Sequence, residues 1–112
     1  MPAAQPSPTP EGDPFEALGD PNRRAILELL ADHPRSVQEL ADELPISRPA
    51  VSRHLRLLKS AGLVVDEAVG TRRLYELHEQ GVEAMQAYLQ TVWGAAATRF
   101  KLFAENAEPK PS

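Results

Sequence analysis

Two serines, each opening a short run of helical pattern, constrain this chain more than any other feature. In "SVQELADEL", Ser36 stands before the run and Glu39 follows at the position that completes a capping box. Val37, Leu40, Ala41 and Leu44 make one apolar face, and Pro45 ends the run. A second helix then begins at once in "ISRPAVSRHLRLLKSAG". Ser47 is its cap, and Pro49 lies in the first turn, where a missing N–H costs nothing. The pattern runs to about Ser60, with Gly62 placed to close it. Two helices joined by a turn of about three to four residues predict a helix-turn-helix.

The second helix has two unlike sides. With Arg48 at zero on a wheel of about 100° per residue, Val51, Leu55 and Leu58 fall between about 280° and 340°. Arg48, Ser52, Arg53, Arg56, Lys59 and Ser60 fall between about 0° and 140°. The apolar side predicts core. The other side carries four cations, two small hydroxyls and no acid. A plainly solvated helix would mix signs. Small residues let a helix enter a groove, and arginines reach base edges and phosphates. The chain as a whole has a formal charge of −4. Yet Ile46 to Tyr75 holds Arg48, Arg53, Arg56, Lys59, Arg72 and Arg73 against Asp66 and Glu67 alone. Such segregation points to a polyanion as partner of the middle of the chain.

After the helix, Leu63–Asp66 and Arg73–Leu77 read as strands around a loop containing Gly70 and Thr71. This predicts a hairpin with Arg72 and Arg73 near its tip, and with it a winged helix whose wing touches the flanking backbone. Ahead of the pair, "PFEALGDPNRRAILELLADHP" predicts a helical turn at 14–18 and a longer helix capped by Asp20 with Pro21 at its first position. Ile26, Leu29 and Leu30 form its stripe. The last element runs from about Glu79 to Glu105. Val82, Met85, Leu89, Val92, Ala96 and Phe103 recur at helical spacing, widened by Tyr88, Trp93 and Phe100. That is more apolar surface than a compact winged helix can cover. It predicts a second copy of the chain, with Phe15, Leu18, Met85, Leu89, Val92, Trp93, Ala96 and Phe100 at the interface.

Taken in order, "LGDPNRRAILELL", "SVQELADEL", "ISRPAVSRHLRLLKSAGLV" and "GTRRLYEL" resemble the ArsR/SmtB family of bacterial winged-helix repressors. The resemblance spans about residues 15–77. It implies a homodimer on a roughly palindromic operator, often that of its own operon. It places DNA contacts on Arg48, Pro49, Ser52 and Arg53, with Arg56 and Lys59 suited to phosphate. Ser47 and the wing residues Arg72 and Arg73 complete the expected DNA face. Many members of the family sense metals, and here the chain departs from them. Ser36 and Gln38 stand about where the arsenic- and cadmium-sensing pattern has cysteines, and the chain has no cysteine at all. The zinc-sensing pattern needs Asp and His pairs on the terminal helix. Only His78 lies near it, and His33, His54 and His78 are scattered. His54 borders the core stripe and is expected to pack or to touch the DNA backbone. The branch implied is one without metal ligands.

The expected fold is therefore mainly α with a small β-hairpin: a winged helix-turn-helix, dimeric through its terminal helices. Residues 1–13, rich in proline, read as a disordered arm, 14–105 as the domain, and 106–112 as a disordered tail. No signal peptide or membrane span is evident, and the absence of cysteine fits a cytoplasmic protein. No nucleophile–base pair, glycine-rich phosphate loop or carboxylate cluster suggests an enzyme, and no cofactor is expected. The reading reached is a DNA-binding repressor, with double-stranded DNA as partner, no membrane and no known inducer. The alternative is an interaction module whose basic face binds an acidic protein.

Overall fold

The computed structural model describes residues 12–107. Five α-helices and a hairpin come first: α1 Pro14–Ala17, α2 Pro21–Asp32, α3 Val37–Glu43, α4 Arg48–Ser60, β1 Val64–Val69, β2 Arg72–Leu77 and α5 Glu79–Leu89. A π-helical turn, Gln90–Gly94, and α6, Ala95–Ala107, complete the chain. Two compact units meet in sequence between Val82 and Glu83.

In the first unit the caps lie where the residue types place them. The Asp20 carboxylate accepts from the amides of Asn22 and Arg23 at 2.7 and 3.2 Å. Ser36 and Glu39 form the reciprocal capping box, at 3.1 Å for the hydroxyl and 2.8 Å for the returning carboxylate. The Ser47 hydroxyl accepts from the Ala50 amide at 3.2 Å. At the other end of α4, Gly62 has φ 81°, a conformation costly to any residue with a Cβ. Its amide donates to Lys59 and the Leu63 amide to Leu58, the two bonds of a Schellman stop. The stop turns the chain straight into β1.

The core lies between α2, α3, α4 and the hairpin. Ile26, Leu40, Val51, Leu55, Leu58, Leu63 and Val64 are all essentially excluded from solvent. At roughly 1.5–3 kcal/mol for each large side chain, these contacts hold the three helices at fixed angles. The expected faces are met at Ile26 and Leu30, and at all three α4 positions. On α3 only Leu40 is fully buried, while Val37, Ala41 and Leu44 are half-buried. A helix of this length has room for one central anchor.

The hairpin departs from expectation in length. β1 and β2 pair in antiparallel register from Val64↔Leu77 to Val69↔Arg72, leaving only Gly70 and Thr71 as the turn. Gly70 has φ 64°, as the first turn position of a II′ hairpin requires. Glu67 and Ala68 have weak strand propensity, which hid this extension. Pairing across the ladder overrides it. A further bridge joins Arg35 to Tyr75, with amide–carbonyl bonds of 3.0 and 2.8 Å in the two directions. Arg35 is itself buried, and its guanidinium bonds to Glu43 and, at 3.3 Å, to Asp32. Read in sequence, it is an ordinary loop cation after Pro34.

Two boundaries move. Gly12 and Asp13, assigned above to the disordered arm, belong to the fold. The Gly12 amide donates to the Ser60 carbonyl at 3.1 Å, and the Asp13 carboxylate caps α1 through the Phe15 amide at 2.9 Å. Residues 1–11 of that arm and residues 108–112 of the tail lie outside the described residues. At the other end α6 continues through 106 and 107.

The second unit is the terminal helical run. It is interrupted rather than continuous, because the π turn at Gln90–Gly94 adds a residue to one turn. Residues beyond it are rotated by about 100° relative to an unbroken helix. The regular spacing of Leu89, Val92, Ala96 and Phe103 is therefore not one straight seam.

Candidate nucleic-acid interface

The apolar stripe of α4 sets the direction of its other face. Because Val51, Leu55 and Leu58 are sunk in the core, Arg48, Arg53, Arg56 and Lys59 are held in solvent, with Pro49 exposed and Ser52 half-buried beside them. Ser47 is occupied as the cap, its hydroxyl directed to the helix amides. His54 is buried, its Nδ1 3.4 Å from an Arg23 guanidinium nitrogen. It packs inside the unit and belongs to the core side of α4.

The wing returns to the start of the helix-turn-helix. Arg48 at the head of α4, Thr71, Arg72 and Arg73 at the wing tip, and Ser36 to Glu39 at the head of α3 line one open cleft of about 400 Å³. Sequence spacing cannot show this meeting, since Arg48 and Arg72 are distant along the chain. The stop at Gly62 and the hairpin that follows it bring them together.

The six cations of the segment fall into two classes. Among the described residues, Arg48, Arg53 and Arg56 pair with no carboxylate. The other three do. Arg72 meets Glu39 at 3.1 Å. Lys59 and Arg73 both meet Asp66, at 2.7 and 2.8 Å. Lys59 and Arg73, expected with the phosphate-facing cations, are thus paired in the free chain, because β1 sets a carboxylate between them.

These carboxylates are held below their ordinary range. For Asp66 the Lys59 hydrogen bond is the chief cause, opposed by partial burial and reinforced by Arg73. For Glu39 it is the Ser36 amide, opposed by partial burial, with the Ser36 hydroxyl and the Arg72 charge adding. Among the described residues no three His, Cys, Asp or Glu side chains converge as metal ligands would. No helix there is long and apolar enough to cross a membrane.

The residues expected at a dimer interface divide by exposure. Leu89, Val92, Trp93 and Phe100 of the terminal run are exposed, Trp93 at 65% and Phe100 at 74%, as are Tyr88, Leu102 and Phe103 outside the expected set. Ala96 is half-buried. Met85 is the exception: it is buried within the chain and has little surface left for a partner. In the first unit Phe15 is exposed at the start of α1, and Leu18 half-buried at its end.

Residues 20–65, from the Asp20 cap through the stop into β1, match the family model described as bacterial regulatory protein, arsR family. Over 86 residues the chain is 50% identical to the HTH-type transcriptional regulator Rv2034 of Mycobacterium tuberculosis, covering 77% of this chain and 80% of that one. The chain belongs to the ArsR family. Among solved structures it resembles an ArsR-like transcriptional regulator from Rhodococcus sp. RHA1, with TM-score 0.69 and 30% identity over 86% of this chain and 91% of that one. It also resembles a homodimeric winged helix-turn-helix DNA-binding domain from Mycobacterium bovis, with TM-score 0.59 and 34% identity over 71% and 74% of the two chains. Hairpin, stop and helix pair together make this a winged helix-turn-helix, and the relatives make it an ArsR-family transcriptional regulator rather than an enzyme.

Proposed function

We propose that this ArsR-family regulator is a homodimeric repressor that binds a roughly palindromic operator, its own or a neighbouring operon's. The observation that carries the reading is the acid-free cationic face of α4, fixed outward by a fully buried opposite face and continued by the wing across one cleft. Arg48, Ser52 and Arg53 stand at the head of α4, where a helix entering the major groove meets base edges. Arg56 lies along the flank, suited to phosphate. A single helix reads only a few base pairs, so specificity requires two copies. The exposed apolar surface of Leu89, Val92, Trp93 and Phe100 supports a second copy as its cover, as does the homodimeric relative from M. bovis.

The test selects duplexes from random sequence with the purified protein and measures affinity for the enriched site. The Arg48→Ala, Arg53→Ala pair should lose about 1–3 kcal/mol for each arginine that reads a base, with relaxed preference at the matching position. Operator binding as tight as wild type would remove α4 from the interface.

The same reading makes the protein indifferent to metals. It has no cysteine to supply a thiolate, and its histidines are scattered, His54 in the core and His33 at the end of α2. Zinc or cadmium titrated into the protein–DNA complex should leave its affinity unchanged. A tenfold or greater loss at equimolar metal would, by about 1.4 kcal/mol of coupling, reveal a ligand set.

A further inference from the structure

The geometry points to Asp66 as a specificity-determining residue: it holds Lys59 and Arg73 away from the DNA backbone, so that these two cations brace the wing and add nothing to sequence-independent binding. The inference rests on the DNA-binding reading above and concerns how that site divides its charges.

Three observations carry it. The Asp66 side chain is only 6% exposed, yet it accepts from Lys59 Nζ at 2.7 Å and from an Arg73 guanidinium nitrogen at 2.8 Å. The two donors come from different elements, the end of α4 and the start of β2, with the carboxylate on β1 between them. The nearby pair of Arg72 with Glu39 is different in kind: both side chains are about half exposed, at 57% and 45%.

The number of bonds decides which pair gives way to a phosphate. If Lys59 and Arg73 turned to DNA, they would leave the Asp66 carboxylate charged and without either of its two partners. Breaking two short charge-assisted bonds on one carboxylate costs more than breaking the single longer bond of Arg72 to Glu39. Arg72 can leave Glu39 cheaply, since water and the Ser36 amide still solvate that carboxylate. The free set at the DNA is then Arg48, Arg53, Arg56 and, by exchange, Arg72.

Every cation on phosphate raises affinity for all sequences alike and steepens the fall of binding with salt by about 0.9 per contact. A regulator gains discrimination by withholding such contacts, since a genome presents an excess of non-specific sites. Asp66 does this for two cations in each protomer. It also ties the wing to the C-terminal end of α4, which keeps Arg72 over the cleft shared with Arg48.

The experiment measures binding of the full chain to a random-sequence duplex several turns long across a salt series. Asp66→Asn, which keeps the shape and removes the charge, should tighten this binding by roughly threefold to tenfold at low salt. Its salt slope should steepen by about one to two per protomer. Lys59→Gln alone should leave the slope unchanged, whereas Arg72→Gln should flatten it by about one per protomer. Combined with Asp66→Asn, Lys59→Gln should reverse part of the steepening, which a merely structural role for Asp66 would not produce. An unchanged slope in folded Asp66→Asn would overturn the inference, as would a flattened slope in Lys59→Gln or Arg73→Gln. Should circular dichroism show Asp66→Asn unfolded, those last two variants decide alone. A wild-type chain that binds no duplex would instead overturn the DNA-binding reading itself.

Discussion

The two units of this chain treat apolar side chains in opposite ways. Up to Val82 most large aliphatic residues among the described ones are buried or half-buried: Ile26, Leu40, Val51, Leu55 and Leu58 are essentially excluded from water, while Leu57 and Val69 are exposed. From Glu83 onward most are exposed, and α6 buries none. The first unit spends its hydrophobic surface on fixing its own helices. The second keeps Tyr88, Leu89, Val92, Trp93, Phe100 and Phe103 outward, a surface that a lone chain has no reason to display. One unit is built to hold a geometry, and the other is suited to meet a partner.

The largest effect should follow from attacking the closed unit. Leu55→Ala, in the middle of the α4 stripe, should cost about 2–5 kcal/mol, since it removes packing and leaves a cavity among rigid helices. Thermal unfolding followed by circular dichroism reads the loss, and DNA binding should fail as α4 loses its seat. A change within about 0.5 kcal/mol, the scale of an ordinary surface substitution, would deny the contrast between the units.

A charge in the open unit should leave the fold intact and act on association. Val92→Glu should convert the dimer to a monomer that keeps its helical circular dichroism, because Val92 is exposed in the single chain. Burying a side chain of this size is worth roughly 1.5–3 kcal/mol, lost on both protomers. Specific binding should fall much more than binding to random duplex, since each monomer keeps its cationic face. Sedimentation beside an operator titration makes the comparison. A folded monomer with wild-type operator affinity would break the link between the second unit and DNA recognition.

The smallest effect is the acid response, and it belongs to the first unit. Asp20, Glu39 and Asp66 all have folded-state pKa values below their ordinary ones. For Asp20, partial burial pushes upward but is overcome by the amides of Arg23 and Asn22. A lowered carboxyl stabilises the fold above its unfolded pKa, near 4, and that share is lost as pH falls through the folded value. Stability should therefore be flat from neutral pH down to about 5 and decline below about 4. Asp66→Asn should shallow that decline. A decline beginning near pH 6 would show that these three carboxylates do not govern the acid response.

Much of the first unit was legible because its signals are local. Aspartate and serine at Asp20, Ser36 and Ser47 mark helix starts through bonds spanning two or three residues, and Pro49 marks one by its fixed φ and missing N–H. Period alone separates the buried and cationic sides of α4. Gly62 announces the stop because few other residues adopt its φ. What stayed hidden depends on residues far apart in sequence. The full length of β1 and β2 comes from cross-strand pairing, which overrides the weak strand propensity of Glu67 and Ala68. The π turn at Gln90–Gly94 rotates a seam that looked regular on a wheel. Arg35 became a buried clamp only when α2, α3 and β2 closed around it. The sequence by itself determined that the middle of this chain carries a cationic helix face, because charge and periodicity are written residue by residue. Only the tertiary structure decided which of those cations are free, because Asp66 lies on a different element from either Lys59 or Arg73 and reaches them through the packing of α4 against the hairpin.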